Sequence, residues 1–157
     1  MKRIEGAIKL ASDVHMNQTD LGGYPYIFHP LRVLGAVEYK IRNLNIKDSE
    51  SVLCSAILHD CIEDCDNKDE MHVYIEKFFG LTVIKTVDSL TRREHESWKS
   101  YMSRVKEHWA PRIIKMADLD DNLDESRLKE ITEKDLQRNK MYQKALNELI
   151  LIEKSHE

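Results

Sequence analysis

Apolar residues recur along most of this chain at the three-to-four-residue spacing of helices, and period-two alternation is weak throughout. Ile4, Ile8, Ala11 and Val14, widened by Ala7 and Leu10, predict an amphipathic helix from about Ile4 to His15. From Asn17 to Pro25 the chain gathers Asn, Thr, Asp, Gly and Pro, the composition of a loop. Pro25 and Pro30 hold the preceding residues extended, and a second helix is expected to open at Pro30 and run through Leu31, Val33, Leu34, Val37 and Ile41 to about Leu44. Asp48 or Ser49 is a good cap for a third helix, whose nearly all-round apolar surface (Val52, Leu53, Ala56, Ile57 and the cysteines) marks it as central. Asp66 to Asp69 is a polar break, and Asp69 or a neighbour can cap a helix through Phe79 that ends at Gly80. A short helix from about Thr82 to Leu90, a charged connector from Thr91 to Glu96 and a helix carrying Trp98, Tyr101, Met102 and Val105 follow. Pro111 starts the next helix, and Thr132 with Asp135 resembles a capping box that opens a long last helix to about Lys154. The pattern predicts one all-α domain over 1–157, a bundle of about eight helices.

Composition supports this architecture. Hydrophobic residues at 41% and charged residues at 33%, with only 5 Gly and 3 Pro, suit a helical protein with charged outer faces and argue against a many-turned β fold. A formal net charge of -4 supplies no general attraction for nucleic acid or an anionic membrane, so neither is expected as a partner. No apolar run approaches the roughly 20 residues of a membrane span. The opening residues, Met1 to Gly6, lack the apolar segment of a secretory signal, and three cysteines are an odd number. A cytoplasmic protein is the expectation.

One stretch stands apart: His59-Asp60-Cys61-Ile62-Glu63-Asp64, at the end of the central apolar run. If it continues the helix, one turn separates His59 from Glu63 and Asp60 from Asp64. Carboxylates gathered beside a buried face must be paired or metal-bound to keep their charge, so a divalent ion is expected there. His29 before a proline, His59-Asp60, and Asp118 at the end of another apolar helix form a mixed nitrogen and oxygen set suited to Mn, Fe, Zn or Co, with positions left for water and substrate. A zinc site built from Cys61, Cys65, His59 and His72 is the weaker alternative, because no second close pair completes a tetrahedron; buried thiols are the simpler reading.

Three motifs, Tyr26-Ile27-Phe28-His29-Pro30, Leu58-His59-Asp60-Cys61-Ile62-Glu63-Asp64 and Lys115-Met116-Ala117-Asp118-Leu119-Asp120-Asp121-Asn122-Leu123, resemble in this order the hydrolase domain of the RelA/SpoT alarmone family. The likeness is closest to its single-domain small alarmone hydrolases, within the HD-domain metal-dependent phosphohydrolases, and covers about 15–128. It implies an HD-type helical bundle in which His29, His59, Asp60 and Asp118 hold a metal, usually Mn, while Glu63 and Asp64 orient or deprotonate the attacking water. Which of the two is the base stays open. The implied reaction is removal of the 3′-pyrophosphate of (p)ppGpp, and Asn122 matches a family asparagine near the ribose and phosphates.

The chain also departs from the family. Alarmone hydrolases usually carry a basic pair in the first loop, where this chain reads Met16-Asn17-Gln18-Thr19-Asp20-Leu21, without a Lys or Arg. Arg92, Arg93 and Lys115 are then the nearest candidates to receive phosphates, set against the simpler role of solvated basic residues. His15, at a family position that is not normally a ligand, reads as a supporting or core residue. Trp98, Tyr101 and Trp109 read as core rather than as a base-stacking platform. Two alternatives remain open: a phosphatase or pyrophosphohydrolase acting on another nucleotide, and a helical domain that binds a nucleotide or partner without turnover. The long last helix can pack on the core or on a second subunit as a homo-oligomer.

Overall fold

A computed structural model describes residues 2–128 and 130–155. Among them are α1 (Lys2–Val14), α2 (Phe28–Ile41), α3 (Ser49–Ile57), a single turn α4 (Cys61–Asp64), α5 (Lys68–Phe79), α6 (Leu81–Leu90), α7 (Trp98–Glu107), α8 (Trp109–Asn122) and α9 (Glu133–Lys154). No strand forms among the described residues; one isolated bridge, Thr19 to Pro25, pins the first loop. The expected all-α bundle is what the chain adopts.

Helix α3 is central for the reason its all-round apolar surface suggests. It packs on α1, α2 and α6. Val52 and Ala56 face one core with Val33, Val37, Ile114, Leu119 and Leu149, while Cys54 and Ile57 face a second with Ala7, Ala11, Ile75 and Val83. Leu34 of α2 touches both. Buried on every side, α3 can carry polar groups at its end only where they find partners.

Several boundaries move. The proline openings lie two residues inside their helices, since α2 starts at Phe28 and α8 at Trp109, and α2 stops at Ile41 rather than Leu44. Asn67, not Asp69, caps α5 by accepting from the Glu70 amide, and Gly80 at φ 92° ends it in the region where a Cβ is strained. At Thr132 both bonds of the capping box form, with Asp135 in the place of the usual Glu. The correction with consequences concerns the central run. The α-helical pattern stops at Ile57, Leu58 caps it at φ -96° and ψ 3°, and Leu58–Asp60 form a turn before α4. His59 and Glu63 are therefore not one turn apart on a continuous helix.

Candidate functional site

The turn after α3 projects His59 and Asp60 toward the first turn of α2 and the last turns of α8. His29 Nε2 lies 3.2 Å from Asp118 Oδ1 and 3.6 Å from Asp60 Oδ2, and His59 Nε2 lies 3.1 Å from Asp60 Oδ2 and 3.8 Å from Asp118 Oδ1. Ligand atoms of His29, His59 and Asp118 all fall within 4.8 Å of one another, and all three residues are buried. Among the described residues this is the one such group with the geometry to hold a metal ion. Cys61 and Cys65 stay outside it as free thiols, and burial pushes the Cys61 thiol well up, which disfavours a thiolate ligand.

Each ring is turned by the partner of its other nitrogen. His59 Nδ1 lies 2.8 Å from the Ala56 carbonyl, an oxygen that only accepts, so Nδ1 carries a proton and, in the neutral ring, Nε2 is the nitrogen free to ligate. That Nε2 is buried and, although close to Asp60, makes no hydrogen bond. A buried, unsatisfied nitrogen facing two carboxylates fits a divalent cation. His29 Nδ1 lies 2.7 Å from Asp121 Oδ2, which leaves its Nε2 facing the same point.

The electrostatics are those of a site that attracts positive charge. Burial works against charging either imidazole, yet the surrounding carboxylates outweigh it and raise both His29 and His59. Burial also opposes ionisation of Asp60 and Asp118, but His59 beside the first and Lys115 beside the second hold both well below the usual carboxylate range. The Tyr26 hydroxyl donates to Asp60 Oδ2 at 2.7 Å, fixing that carboxylate.

Lys115 is half-buried, with Nζ 2.6 Å from Asp118 Oδ2 and 5.2 Å from the Tyr101 ring centre. Asn122 donates to Asp118 Oδ1. Two of the four residues expected to bind substrate, Lys115 and Asn122, thus touch the Asp118 carboxylate. Glu63 and Asp64 stand on α4, just after Asp60, with Asp64 Oδ2 3.6 Å from His15 Nδ1. Partial burial raises both carboxyls, and the Asp60 charge adds to it; the Arg92 amide, 3.1 Å from Glu63 Oε2, offsets part for Glu63. Arg92 and Arg93 are exposed: the Arg92 guanidinium donates to the Glu96 carbonyl, and that of Arg93 reaches Asp88 at 3.4 Å. They line a shallow recess that includes Glu63. His15 is buried, 2.8 Å from Gln18 Oε1, with its ring 4.9 Å from that of Tyr26. Tyr101 is buried with its hydroxyl on the Leu90 carbonyl, and Trp98 stacks on Tyr142.

A cavity of about 280 Å³ opens beside His29, lined by Thr19, Gly22, Tyr26, Arg32, Asn122, Arg127, Arg138 and Tyr142 among others. Its arginines come from α2, the segment after α8, and α9; Asp20, Asp121 and Asp124 line the same space, with Arg32 paired to Asp121 and Arg127 to Asp121 and Asp124. Asp20, which lies in the first loop, is occupied: its Oδ1 accepts from the Gly22 and Tyr24 amides, both at 2.9 Å. Gly22 is required there, since a Cβ would lie 2.5 Å from the Arg127 carbonyl. Sequence reasoning missed Tyr26, Arg32, Asp121, Arg127, Arg138 and Tyr142 as site residues. Only the acidic run after Asp118 hinted at one of them.

An all-α bundle that brings ligand atoms of His29, His59 and Asp118 within 4.8 Å of one another, with Asp60 beside them, defines the class: a helical domain with an HD-type cluster that could hold a metal ion. No protein-family model matches the chain. Over 130 residues it is 29% identical to the guanosine-3′,5′-bis(diphosphate) 3′-pyrophosphohydrolase of Aquifex aeolicus, covering 78% of this chain and 17% of that protein. It is 28% identical over 111 residues to the protein of the same name from Vibrio cholerae, covering 68% and 14%. With the bifunctional (p)ppGpp synthase/hydrolase SpoT of Escherichia coli K12 the identity is 28% over 116 residues, covering 74% and 15%. The chain thus spans less than a fifth of the length of these curated relatives. A solved structure described as a metazoan ortholog of SpoT that hydrolyzes ppGpp superposes with a TM-score of 0.75 at 23% identity, over 95% of this chain and 85% of that one. The resemblance to RelA/SpoT-type HD-domain hydrolases is matched by the sequence similarity to these proteins and by the fold shared with the solved structure.

Proposed function

We propose that this chain is a metal-dependent phosphohydrolase acting on a nucleotide, and that its substrate is (p)ppGpp, which loses its 3′-pyrophosphate. The observation that carries the reading is the unsatisfied Nε2 of His59, facing His29, Asp60 and Asp118 beside a cavity lined by arginines. His29, His59, Asp60 and Asp118 would hold a divalent ion, with Mn the first choice. When bound, such an ion lowers the pKa of water and withdraws charge from a phosphoryl oxygen.

The chain's own groups supply the rest. Glu63 or Asp64, each raised by partial burial, accepts the proton of the attacking water. The water oxygen bonds to the phosphorus attached at O3′, the O3′–P bond breaks as O3′ takes up a proton from solvent, and pyrophosphate is released with GDP or GTP as the other product. Asn122, on Asp118 at the cavity wall, faces the ribose and phosphates, and Arg32, Arg127 and Arg138 offset the substrate's negative charge. Arg92 and Arg93, at the recess beside Glu63, receive the departing pyrophosphate, and Lys115 keeps Asp118 ionised. The chain works in the cytoplasm on this small molecule.

A panel of ppGpp, pppGpp, NADPH and nucleoside triphosphates, incubated with Mn-loaded protein and with Asp60→Ala, tests the reading. Pyrophosphate and GDP from ppGpp, absent with the mutant, are expected. Turnover of another nucleotide alone moves the substrate, which the absence of a basic residue in Met16–Leu21 would then explain. No turnover by folded, metal-loaded protein overturns the enzymatic reading in favour of a binding domain.

A further inference from the structure

We infer that Asp121, clamped by Arg32 and Arg127, is the positioning residue that fixes His29 as an Nε2 metal ligand. The inference rests on the metal-binding reading of the site but not on the identity of the substrate.

Helices α2 and α8 repeat one spacing. On α2, Arg32 follows His29 by three residues, and on α8, Asp121 follows Asp118 by three. Residues three apart share a helix face. The two helices pack against each other, so ligand meets ligand, His29 with Asp118, and one turn along support meets support, Arg32 with Asp121.

Asp121 then ties the pairs together. Its Oδ2 accepts from His29 Nδ1 at 2.7 Å and from Arg32 Nη2 at 3.1 Å, and its Oδ1 accepts from Arg32 Nε at 2.6 Å. Arg127 donates to the Asp121 carbonyl at 2.6 Å and reaches Oδ2 at 3.4 Å. The carboxylate is held at both oxygens and at its backbone, and its side chain is only 11% exposed. It has no freedom to leave His29.

A carboxylate behind an imidazole places the proton on the near nitrogen and makes the far one a stronger donor. His59 lacks this support, because its Nδ1 faces the neutral Ala56 carbonyl. The two histidines are therefore supported unequally, His29 by a clamped carboxylate and His59 by a neutral carbonyl. A plain α2–α8 ion pair would need neither the short contact to Nδ1 nor a second arginine on the same carboxylate.

Mn and Zn affinity of the full chain, measured by calorimetry, tests this with Asp121→Ala and Asp121→Asn. Zn-loaded protein is also compared by 1H–15N correlation of the imidazoles. Asp121→Ala is expected to weaken metal binding by about 10- to 100-fold. Asp121→Asn keeps an oxygen acceptor and is expected to lose at least about threefold but less than alanine. The Nδ1 proton of His29 should exchange faster in Asp121→Ala while that of His59 is unmoved. Affinity within twofold of wild type for both variants, with the His29 signals unchanged, would overturn the inference even if Asp121→Ala lowers thermal stability. If Asp121→Ala does not fold, the isosteric Asn variant decides alone. Failure of the wild-type chain to bind either metal overturns both this inference and the metal reading beneath it, whereas metal binding without turnover of ppGpp leaves this inference standing.

Discussion

Removing one hydroxyl from Tyr26 isolates what fixes Asp60. The Tyr26→Phe substitution deletes the donor 2.7 Å from Asp60 Oδ2 and keeps the ring, packed between His15 at 4.9 Å and His29 at 5.5 Å. No cavity beyond one oxygen opens. A hydrogen bond to an ionised group contributes about 1.5–3 kcal/mol. Asp60 Oδ2 also lies 3.6 Å from His29 Nε2 and 3.1 Å from His59 Nε2, so an ion at the cluster would use it while the phenol holds its orientation. Losing the phenol also leaves a more basic oxygen that attracts an ion harder, which offsets part of the loss. The net expectation is the low end, about 1.4 kcal/mol or a tenfold weaker metal Kd. Without metal, the same loss should lower Tm by about 3–6 °C in a chain of this length. Calorimetric titration with Mn and thermal unfolding followed by circular dichroism read both quantities. A Kd within twofold of wild type together with an unchanged Tm would show that the hydroxyl does not hold Asp60 in solution, and would refute the reasoning.

Two further predictions concern stability. Arg112 is buried where α7, α8 and α9 meet, donating to Glu153 Oε1 at 2.5 Å and to the Lys106 carbonyl at 3.0 Å; Arg112→Ala strands a mostly buried Glu153 and should cost about 2 kcal/mol, a Tm loss of about 4–8 °C, recovered in Arg112→Met with Glu153→Leu. Glu96 is held by the Arg104 guanidinium to about 2 from an ordinary 4.5, so its stabilisation is full above about 4.5 and fades as pH falls toward 2; the gap in denaturation midpoint between wild type and Glu96→Gln should close over that range, and a gap independent of pH would contradict the pairing.

Much of this fold is written locally. Helical periodicity, the capping box at Thr132 and the stop at Gly80 act within a few residues, and each is where the sequence places it. His29, His59 and Asp118 were legible because chemically distinctive residues stand at the ends of apolar runs. Leu58–Asp60 was not, since the apolar pattern continues through the break and only the site's geometry demands the turn. Asp121 lay within an acidic tract that alone reads as a solvated face. Its partner His29 is 92 residues away, and nothing local announces that pairing. Tyr26 and Asp60, 34 residues apart, present the same difficulty.

The three-residue turn between α3 and α4 has a consequence for how this chain can change. It is a joint whose length is the adjustment of the site. One residue inserted there would change the direction in which α4 leaves α3, carrying Glu63 and Asp64 away from His59 and Asp60 while both helices stayed intact. Such a protein would keep its core and lose the alignment of proton acceptor and ligand. The loop at 15–27 permits no such economy of explanation, because its many internal bonds can be rebuilt around a changed length. Length variation among functioning relatives should therefore collect on the loop side of the cavity and be absent from the joint.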